Sequence, residues 1–359
     1  MKCRFRKVHG FMKIDEIAKL ANVSKSAVSL ALNGKNGVSQ KTREKILKIA
    51  EEHGYIPRPI IKAEQYFQTN TKILRLVAVT NAGIVSDEFE SLPFFMELIK
   101  YIDTQSGSSG YSLMVSSISI ECLQEEISRL ENEQKSAGIL LLGTNLTPVQ
   151  IKMIADIQPN LVVLDTCYET LDANFVVMNN VFGAYQAGQY LMDLGHREIG
   201  YVESDIRMYN FDMRKKGFIQ ALTEGNLRID ESNYFSISPT TIAPQEAFSE
   251  KIKNSLDNLP SALFCETDYM AISVIKSLTE LGRKVPDQIS IIGFDNIFES
   301  RVVTPELTTI HVKKDKIALL AVEKLIRLIE NNDEDKIKLL VDTELIVRNS
   351  CLKLKKTDE

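Results

Sequence analysis

The side chains that could carry out chemistry are few in this sequence, and they are scattered. No two histidines or cysteines stand at a spacing typical of a metal site, or of a nucleophile with its base. The sequence also contains no phosphate-binding loop, dinucleotide-binding glycine motif, nucleophile elbow or zinc-protease motif. We therefore predict no catalytic residue, no metal and no cofactor. The histidines are His9, His53, His196 and His311, and the cysteines are Cys3, Cys122, Cys167, Cys265 and Cys351.

Polar residues do stand at the ends of predicted apolar strands, where parallel α/β sheets bind their ligands. Asp165 ends one strand, Asp295 follows another, and Asp268 follows a third after Thr267. Arg214 begins a helix beyond a fourth strand. Local alternatives stay open: Asp268 as the N-cap of the next helix, Asp295 in an Asx-turn, and Arg214 in a surface ion pair.

Charge divides the chain into a basic head and an acidic body. Of 43 basic and 48 acidic residues, residues 1–62 hold 14 and 5, which leaves 29 and 43 for the rest. A basic segment of this kind is typical of contact with a polyanion. No apolar segment has the length that a signal peptide or a membrane span needs, and the cysteines form no disulfide framework. We therefore expect a cytoplasmic protein with no membrane partner.

The basic head contains three predicted helices. Apolar residues at positions 14, 17, 18 and 21 follow a helical period, and Asn22 suits the turn after them. Ser24 is a preferred N-cap for a helix from 25 to about 32, and Ser39 opens a helix from about 40 to 53 that Gly54 closes. Helix, short turn, helix is the arrangement in which the second helix enters the major groove of DNA.

Four motifs in the head share a distinctive order: KIDEIAKLANVS at 13–24, VS at 28–29, LNG at 32–34 and GYIP at 54–57. With them the head resembles that of the lactose-repressor/galactose-repressor family of bacterial transcription regulators. The resemblance implies that the natural start is Met12, that Lys25, Ser26 and Leu30 face the bases, and that Ser24, Ser29 and Asn33 hold phosphates. Leu30 departs from the arginine of many members and offers only apolar contact. The alternative for Lys25 and Leu30 is an exposed helix side chain.

The segment after the head, residues 58–72, departs from the family pattern. Members usually place here a short helix whose leucine wedges into the minor groove. Glu64 occupies the place of that leucine in this sequence. Phe67 would supply the wedge after a longer helix, and a hinge without a wedge is the third alternative.

The acidic body alternates short apolar strands with amphipathic helices. Near-continuous apolar strands between helices predict parallel sheets covered on both faces. A body of about 280 residues exceeds one comfortable core, which predicts two doubly wound subdomains. The predicted strands are residues 76–79, 112–115, 138–142, 161–164, 199–202, 262–265 and 290–293, and the helices lie near 94–106, 123–134, 148–157, 182–194, 213–223, 269–281 and 314–331.

Motifs in the body extend the resemblance over essentially its full length. They are PFF at 93–95, GILL at 138–141, NN at 179–180, GA at 183–184, LGHREIGY at 194–201, Arg214 with GF at 217–218, Asp268 with Ala271, SIIGFDN at 290–296, TPELTT at 304–309 and Arg348. The resemblance implies a helix-turn-helix headpiece at 12–57, a hinge at 58–72 and a periplasmic-binding-protein-like core at 73–354. One subdomain of that core is expected at about 73–177 and 312–340, and the other at about 178–311 and 341–354.

The same resemblance implies an effector cleft between the two subdomains. Asp165 and Asp295 would accept hydrogen bonds from ligand hydroxyls, and Arg214 would donate. Thr267 and Asp268 would also line this cleft, although Thr267 stands where the family often has asparagine. The predicted ligand is a sugar or sugar phosphate, with a purine or another metabolite as the alternative. The aromatic residues expected nearby are Phe89, Tyr209, Tyr269 and Phe298.

We therefore predict a homodimeric transcriptional repressor that binds a double-stranded DNA operator under the control of a small effector. The alternatives are control by a protein co-regulator, a sugar-binding sensor that does not bind DNA, and an enzyme of doubly wound fold. Phe94, Phe95 and the helix at 314–331 are candidate dimer contacts. Burial inside the subdomain is the alternative for the two phenylalanines.

Overall fold

The computed structural model describes residues 14–32, 37–52, 72–80, 84–85, 89–144, 146–254, 259–331 and 333–354. The chain divides into two compact units, residues 1–70 and 71–359. The expectations for Met12, Asn33, Gly54, Glu64 and Phe67 lie outside the described residues.

Three helices of the head pack around a small apolar core, as the sequence predicts. They are α1 (Ile14–Ala21), α2 (Lys25–Leu32) and α3 (Gln40–Glu52). Ile17, Val28 and Ile46 are fully buried among them. Asn22 turns the chain at a φ of 55°, and the Ser24 hydroxyl accepts from the backbone N–H of Ala27 at 3.2 Å. The helix-turn-helix prediction is confirmed.

The body alternates strands and helices along most of its length. In chain order the elements are β1 (Ile73–Thr80), α4 (Pro93–Ser108), β2 (Ser112–Ser119), α5 (Leu123–Glu133), β3 (Gly138–Leu142), α6 (Pro148–Ile157), β4 (Leu161–Leu164), β5 (Asn174–Met178), α7 (Asn180–Asp193), β6 (Ile199–Ser204), α8 (Tyr209–Glu224), β7 (Tyr234–Ile237), α9 (Glu246–Asn254), β8 (Ala262–Cys265), α10 (Asp268–Glu280), β9 (Ser290–Asp295), β10 (Thr308–His311), α11 (Lys314–Asn331), β11 (Lys338–Val341) and β12 (Glu344–Ile346). A 3-10 turn, Phe298–Arg301, follows β9.

Two six-stranded sheets organise these elements into two lobes. The first lobe has the strand order β11-β5-β4-β3-β1-β2, and the second has β12-β10-β9-β8-β6-β7. Neighbouring strands pair in parallel except β10 and β12, which are antiparallel. The chain passes between the lobes three times: from β5 to α7, from β10 to α11, and from β11 to β12.

Continuous burial of the central strands explains their apolar sequences. Every residue of β3, β8 and β9 is buried, because helices cover both faces of a parallel sheet. The edge strand β2 instead carries exposed positions, among them Val115. The prediction of two doubly wound parallel sheets is confirmed, with β12 as the antiparallel addition.

The structure corrects the two phenylalanines as candidate dimer contacts. Phe94 and Phe95 are buried inside the first lobe, and their rings meet edge to face. Helix α11 packs against α4 and the first sheet through Ile317, Val322 and Leu325. Its other face is exposed, so this helix stays a prediction as a dimer contact. In the described residues no helix is both long and apolar enough to cross a membrane.

Candidate functional site

A cleft of about 430 Å³, part of it open to solvent, lies where the two lobes meet. Its walls come from both lobes, and several of its residues stand at the carboxyl ends of strands, as expected for parallel α/β sheets. The lining residues are Ile84, Leu92, Phe94, Phe95, Asp165, Met208, Asn210, Phe211, Arg214, Pro239, Thr240, Thr267, Tyr269 and Asp295.

Asp165 supplies the first lobe's carboxylate at this cleft. It follows β4 at a φ of 64°, a left-handed conformation that aspartate tolerates better than most residues. The carboxylate accepts from the Thr144 hydroxyl and from the Asn210 side-chain amide, both at 2.7 Å. Burial raises the pKa of Asp165 to about 6, although these hydrogen bonds oppose the rise. The carboxylate is therefore mainly ionised at neutral pH.

Asp295 and Arg214 form a buried ion pair on the second lobe. Asp295 ends β9 at a φ of 114°, a strained conformation of the kind that clusters at functional sites. Its Oδ1 accepts from Arg214 Nη2 at 3.1 Å. Burial raises the pKa of Asp295, and Arg214 opposes that rise. Because Arg214 is only 3% exposed, the alternative of a surface ion pair for this residue is wrong. The Asp295 carboxylate is held by its hydrogen bond from Arg214.

Two asparagines connect these carboxylates across the cleft. Asn210 on α8 belongs to the second lobe, yet it bonds to Asp165 of the first. Its Oδ1 accepts from Asn180 Nδ2 at 2.8 Å, and Asn180 Oδ1 accepts from Arg214 Nε at 2.9 Å. The cleft relay, defined as Asp165, Asn210, Asn180, Arg214 and Asp295, is thus one chain of hydrogen bonds that joins the lobes.

The sequence analysis missed both asparagines, although a signal for one was present. Asn210 stands four residues before Arg214, so both side chains lie on one face of a helix. The predicted helix began at residue 213, three residues short of Asn210, whereas α8 begins at Tyr209. Asn180 lay within a matched motif that carried no site assignment.

A second hydrogen bond joins the walls of the cleft. The Tyr269 hydroxyl, from the second lobe, accepts from the backbone N–H of Phe94 on the first lobe at 3.1 Å. Both residues line the cleft. Two hydrogen bonds between lining residues, Asn210 to Asp165 and Phe94 to Tyr269, therefore join the lobes at this cavity.

Thr267 lines the cleft, and Asp268 does not. Thr267 is the N-cap of α10 and accepts from the N–H of Met270 at 3.2 Å, so the capping role considered for Asp268 is wrong. The Asp268 carboxylate lies behind the wall, where it accepts from the Ile297 N–H at 2.9 Å and from the Thr309 hydroxyl at 2.5 Å. Burial raises the pKa of Asp268 to about 8. Its role is to hold β10 and the turn after β9, and a direct ligand contact does not fit this position.

The aromatic wall differs from the expected one. Tyr269 lines the cleft, but Phe89, Tyr209 and Phe298 are not among the lining residues, and Phe298 is 66% exposed. The other aromatic rings at the cleft are Phe94, Phe95 and Phe211. Phe94 and Phe95 were predicted as dimer contacts or as buried residues of the subdomain, and neither prediction placed them at the cleft.

Glu266 lies behind the cleft lining and holds Arg214 in place. It was not predicted as a site residue. It is fully buried, and its carboxylate accepts from Arg207 at 2.8 Å and from the Tyr201 hydroxyl at 2.8 Å. Its backbone carbonyl accepts from Arg214 Nη1. Glu266 and Asp295 therefore hold the two terminal nitrogens of the Arg214 guanidinium, Nη1 and Nη2.

On the head, the residues that the sequence analysis assigned to DNA differ in exposure. Ser24, Lys25 and Ser26 are exposed at the start of α2, whereas Ser29 and Leu30 are partly buried. The Leu30 side chain packs close to Gly37, so its apolar surface is shared with the loop before α3. The exposed N-terminal turn of α2 is the part able to enter a groove.

Comparison with known families and proteins finds matches at both ends of the chain. Residues 13–58 match the family model of bacterial regulatory proteins of the lacI family, and residues 189–351 match a periplasmic binding protein-like domain. The probable HTH-type transcriptional repressor ExuR of Bacillus subtilis is 30% identical over 342 residues, which cover 95% of this chain and 98% of that protein. The ribose operon repressor of Haemophilus influenzae is 27% identical over 346 residues, which cover 95% and 98%.

Solved structures share the fold. A complex of the transcriptional regulator CelR with cellobiose matches with a TM-score of 0.68 at 22% identity and covers 94% of this chain and 99% of its own. The lac repressor dimer bound to operator and the anti-inducer ONPF matches with a TM-score of 0.67 at 20% identity and covers 96% and 100%.

Proposed function

The chain belongs to the lacI family of bacterial regulatory proteins. From that premise we propose that a small molecule bound at the cleft relay changes the affinity of this protein for its DNA operator. The protein is a DNA-binding transcriptional repressor, as its relatives are, and not an enzyme. It acts as a dimer. One head makes too few base contacts to discriminate strongly between DNA sequences, and two heads on two half-sites increase that discrimination. Its DNA partner supports a place in the cytoplasm.

The observation that carries the effector proposal is the bond between Asn210 and Asp165. This bond runs from one lobe to the other inside the cavity, and so does the bond between Tyr269 and Phe94. A ligand whose hydroxyls bond to Asp165 competes with Asn210 for the same acceptor. Binding therefore changes the contacts that hold the lobes together, which is the differential contact that a ligand-driven shift requires.

The proposed ligand contacts come from four of the residues expected from sequence. Asp165 and Asp295 accept from ligand hydroxyls, and Arg214 donates through the guanidinium hydrogens that its three protein acceptors leave over. Thr267 shapes the wall beside them. Closure or opening of the lobes about the crossover segments then transmits binding to the heads as a hinge motion. Couplings of this kind are about 1–3 kcal/mol, which is a 5–150-fold change in operator affinity.

On the head, Lys25 and Ser26 are proposed to read bases, and Leu30 offers apolar contact. Ser24, Ser29 and Asn33 are proposed to hold phosphates. The proposed division of the chain is a headpiece at 12–57, a hinge at 58–72 and an effector core at 73–354. The exposed start of α2 supports the assignment of Lys25 and Ser26 to DNA contact.

The test is operator binding by the full chain with and without a metabolite extract. An operator is first selected from a random pool of duplexes, and affinity is then measured by fluorescence anisotropy. We expect the extract to change affinity within the 5–150-fold range, and Asn210→Ala to reduce that change strongly. Gln220→Ala is the matched control, because Gln220 is exposed on the same helix.

Two results would contradict the proposal. One is an operator affinity that no extract changes. The other is a change that follows only the protein fraction of the extract, which would favour a protein co-regulator over a small effector.

A further inference from the structure

The charges at the cleft are unbalanced toward the acidic side. The lining contains two carboxylates, Asp165 and Asp295, and one guanidinium, Arg214. Arg214 lies against Asp295 at 3.1 Å, and the two charges offset each other. Within the described part of the chain, Asp165 accepts hydrogen bonds from neutral groups, the Thr144 hydroxyl and the Asn210 amide. One negative charge therefore remains at the wall of the first lobe.

The nearest other cations are already engaged by acids. Lys314 is buried, pairs with Glu97 at 3.0 Å and donates to the backbone carbonyl of Asp295. Arg207, next to the lining residue Met208, pairs with Glu266 at 2.8 Å and with Asp212 at 2.9 Å. Neither cation lines the cleft.

Among the described residues that line the cleft, Arg214 is the one cation, and Asp295 already holds it. An anionic ligand group near Asp165 would thus give up its hydration beside a like charge, and the charge of Arg214 is already offset by Asp295. Juxtaposed like charges of this kind are a strong source of discrimination between ligands.

The aromatic part of the lining favours a ligand with an apolar side. Phe94, Phe95, Phe211 and Tyr269 present aromatic surface to the cavity. Sugar rings carry C–H groups on one face and hydroxyls at the rim, so one ring can contact both the aromatic residues and the carboxylates. We propose that the effector is a polyhydroxylated molecule without an anionic group and that the cleft rejects its phosphorylated or carboxylated form. This inference rests on the proposed function, because it concerns the same cleft.

The test uses charge as the separating property, so the effector need not be known beforehand. A metabolite extract is passed over an anion-exchange resin at neutral pH, and both fractions are assayed for their effect on operator binding by the full chain. We expect the activity in the unretained fraction. Activity that is retained on the resin and eluted by salt would overturn the inference while leaving the proposed function intact. If neither fraction nor the unfractionated extract changes operator affinity, the proposed function itself fails.

A second measurement uses defined compounds. Isothermal calorimetry compares ribose with ribose 5-phosphate, and glucose with glucose 6-phosphate and glucuronate. We expect any sugar that binds to bind at least about 100-fold more tightly than its anionic counterpart, which is about 2.7 kcal/mol. An anionic member that binds within tenfold of its neutral partner, or more tightly, would overturn the inference.

A variant of Asp165 distinguishes charge repulsion at this residue from a general loss of ligand binding. Asp165→Asn removes the uncompensated charge, and asparagine tolerates the same left-handed backbone. We expect the ratio of neutral to anionic affinity to fall at least tenfold in this variant. Asp193→Asn is the matched control, because Asp193 is exposed at the end of α7, outside the cleft lining. An unchanged ratio in Asp165→Asn would show that another feature sets the selectivity.

Discussion

Arg214 has a structural role in addition to its proposed role in ligand binding. Its guanidinium donates to Asn180, to Asp295 and to the backbone of Glu266, and it stacks on the Phe294 ring at 3.8 Å. A guanidinium so placed supports the fold as well as any ligand. Its removal is therefore expected to lower the stability of the fold as well as the effector response.

We expect Arg214→Ala to destabilise the body by about 3–5 kcal/mol, because Asp295 then stays buried without its cation. Urea unfolding of the purified protein measures this loss. Arg228→Ala, at an exposed position, should change the free energy of unfolding by less than about 0.5 kcal/mol. A stable Arg214→Ala protein that merely ignores the effector would contradict the buried-pair account.

Asp165 should make stability depend on pH in a defined direction. Its pKa is about 6 in the folded protein and about 3.9 in an unfolded chain, so the folded state binds the proton more tightly. Stability therefore falls as pH rises from about 4 to 6, by about 3 kcal/mol from this group. Asp165→Asn should remove that share of the slope. Urea midpoints at pH 4.5 and 7 measure it, and equal slopes in the two proteins would contradict the assignment.

At the scale of elements, the recognition helix α2 separates two kinds of DNA contact. Ser24 caps the helix, and loss of a serine cap costs about 1 kcal/mol. Ser24→Ala should therefore weaken binding to all operator sequences alike. Lys25→Ala should instead relax the preference at one base position. Anisotropy with a set of single-base operator variants distinguishes these outcomes. A Lys25→Ala protein weakened equally on every duplex would remove Lys25 from base recognition.

The packing of α7 on α8 depends on a glycine. A Cβ at Gly217 would lie 2.0 Å from the backbone oxygen of Val181, so the two helices could not keep their separation. We expect Gly217→Ala to destabilise the protein by several kcal/mol, on the order of the largest single-site effects. Gly107→Ala is the control, because nothing lies within 4 Å of its Cβ position. Thermal unfolding compares the two, and equal transitions would contradict the close contact.

Much of the architecture could be predicted from sequence because long apolar runs form the central strands. The ranges of β3, β4 and β8 match the predicted ones, and β1, β2, β6 and β9 extend beyond theirs. Strands missing from the prediction are β5, β7, β10, β11 and β12, together with helix α9. Edge strands such as β7, β11 and β12 carry polar or partly exposed residues, so they lack the continuous apolar signal of a buried strand.

The cleft could be predicted only in part, because strand ends are visible in a sequence and contacts between lobes are not. Asp165, Arg214, Thr267 and Asp295 were predicted and do line the cavity, whereas Asp268 lies behind it. Asn180 and Asn210 gain their importance from partners 30 to 45 residues away. Such pairings depend on how two separate sheets meet, which no local pattern encodes.

At the scale of the whole molecule, dimerisation needs apolar surface that the folded body leaves exposed. Met96 on α4 is 54% exposed, and Phe298 and Val302 lie exposed in and beside the turn after β9. A contiguous apolar surface built from such side chains would mark an association surface. These three residues replace Phe94 and Phe95 as the candidate dimer contacts.

We expect the double variant Met96→Lys with Phe298→Lys to shift the protein toward monomer and to weaken operator binding. Analytical ultracentrifugation at fixed concentration measures the shift. Val149→Lys is the control, because Val149 is 77% exposed at the start of α6. A double variant that sediments like the unchanged protein would place the dimer surface elsewhere.

The last strands also bear on what becomes of incomplete chains. β11 joins the first sheet and β12 joins the second, with only two residues between them. A chain that stops before residue 338 lacks the border strands of both sheets, so we expect both lobes to be destabilised together. Such products are expected to be degraded, and the cell is spared a surplus of heads that would occupy promoters without answering to any metabolite.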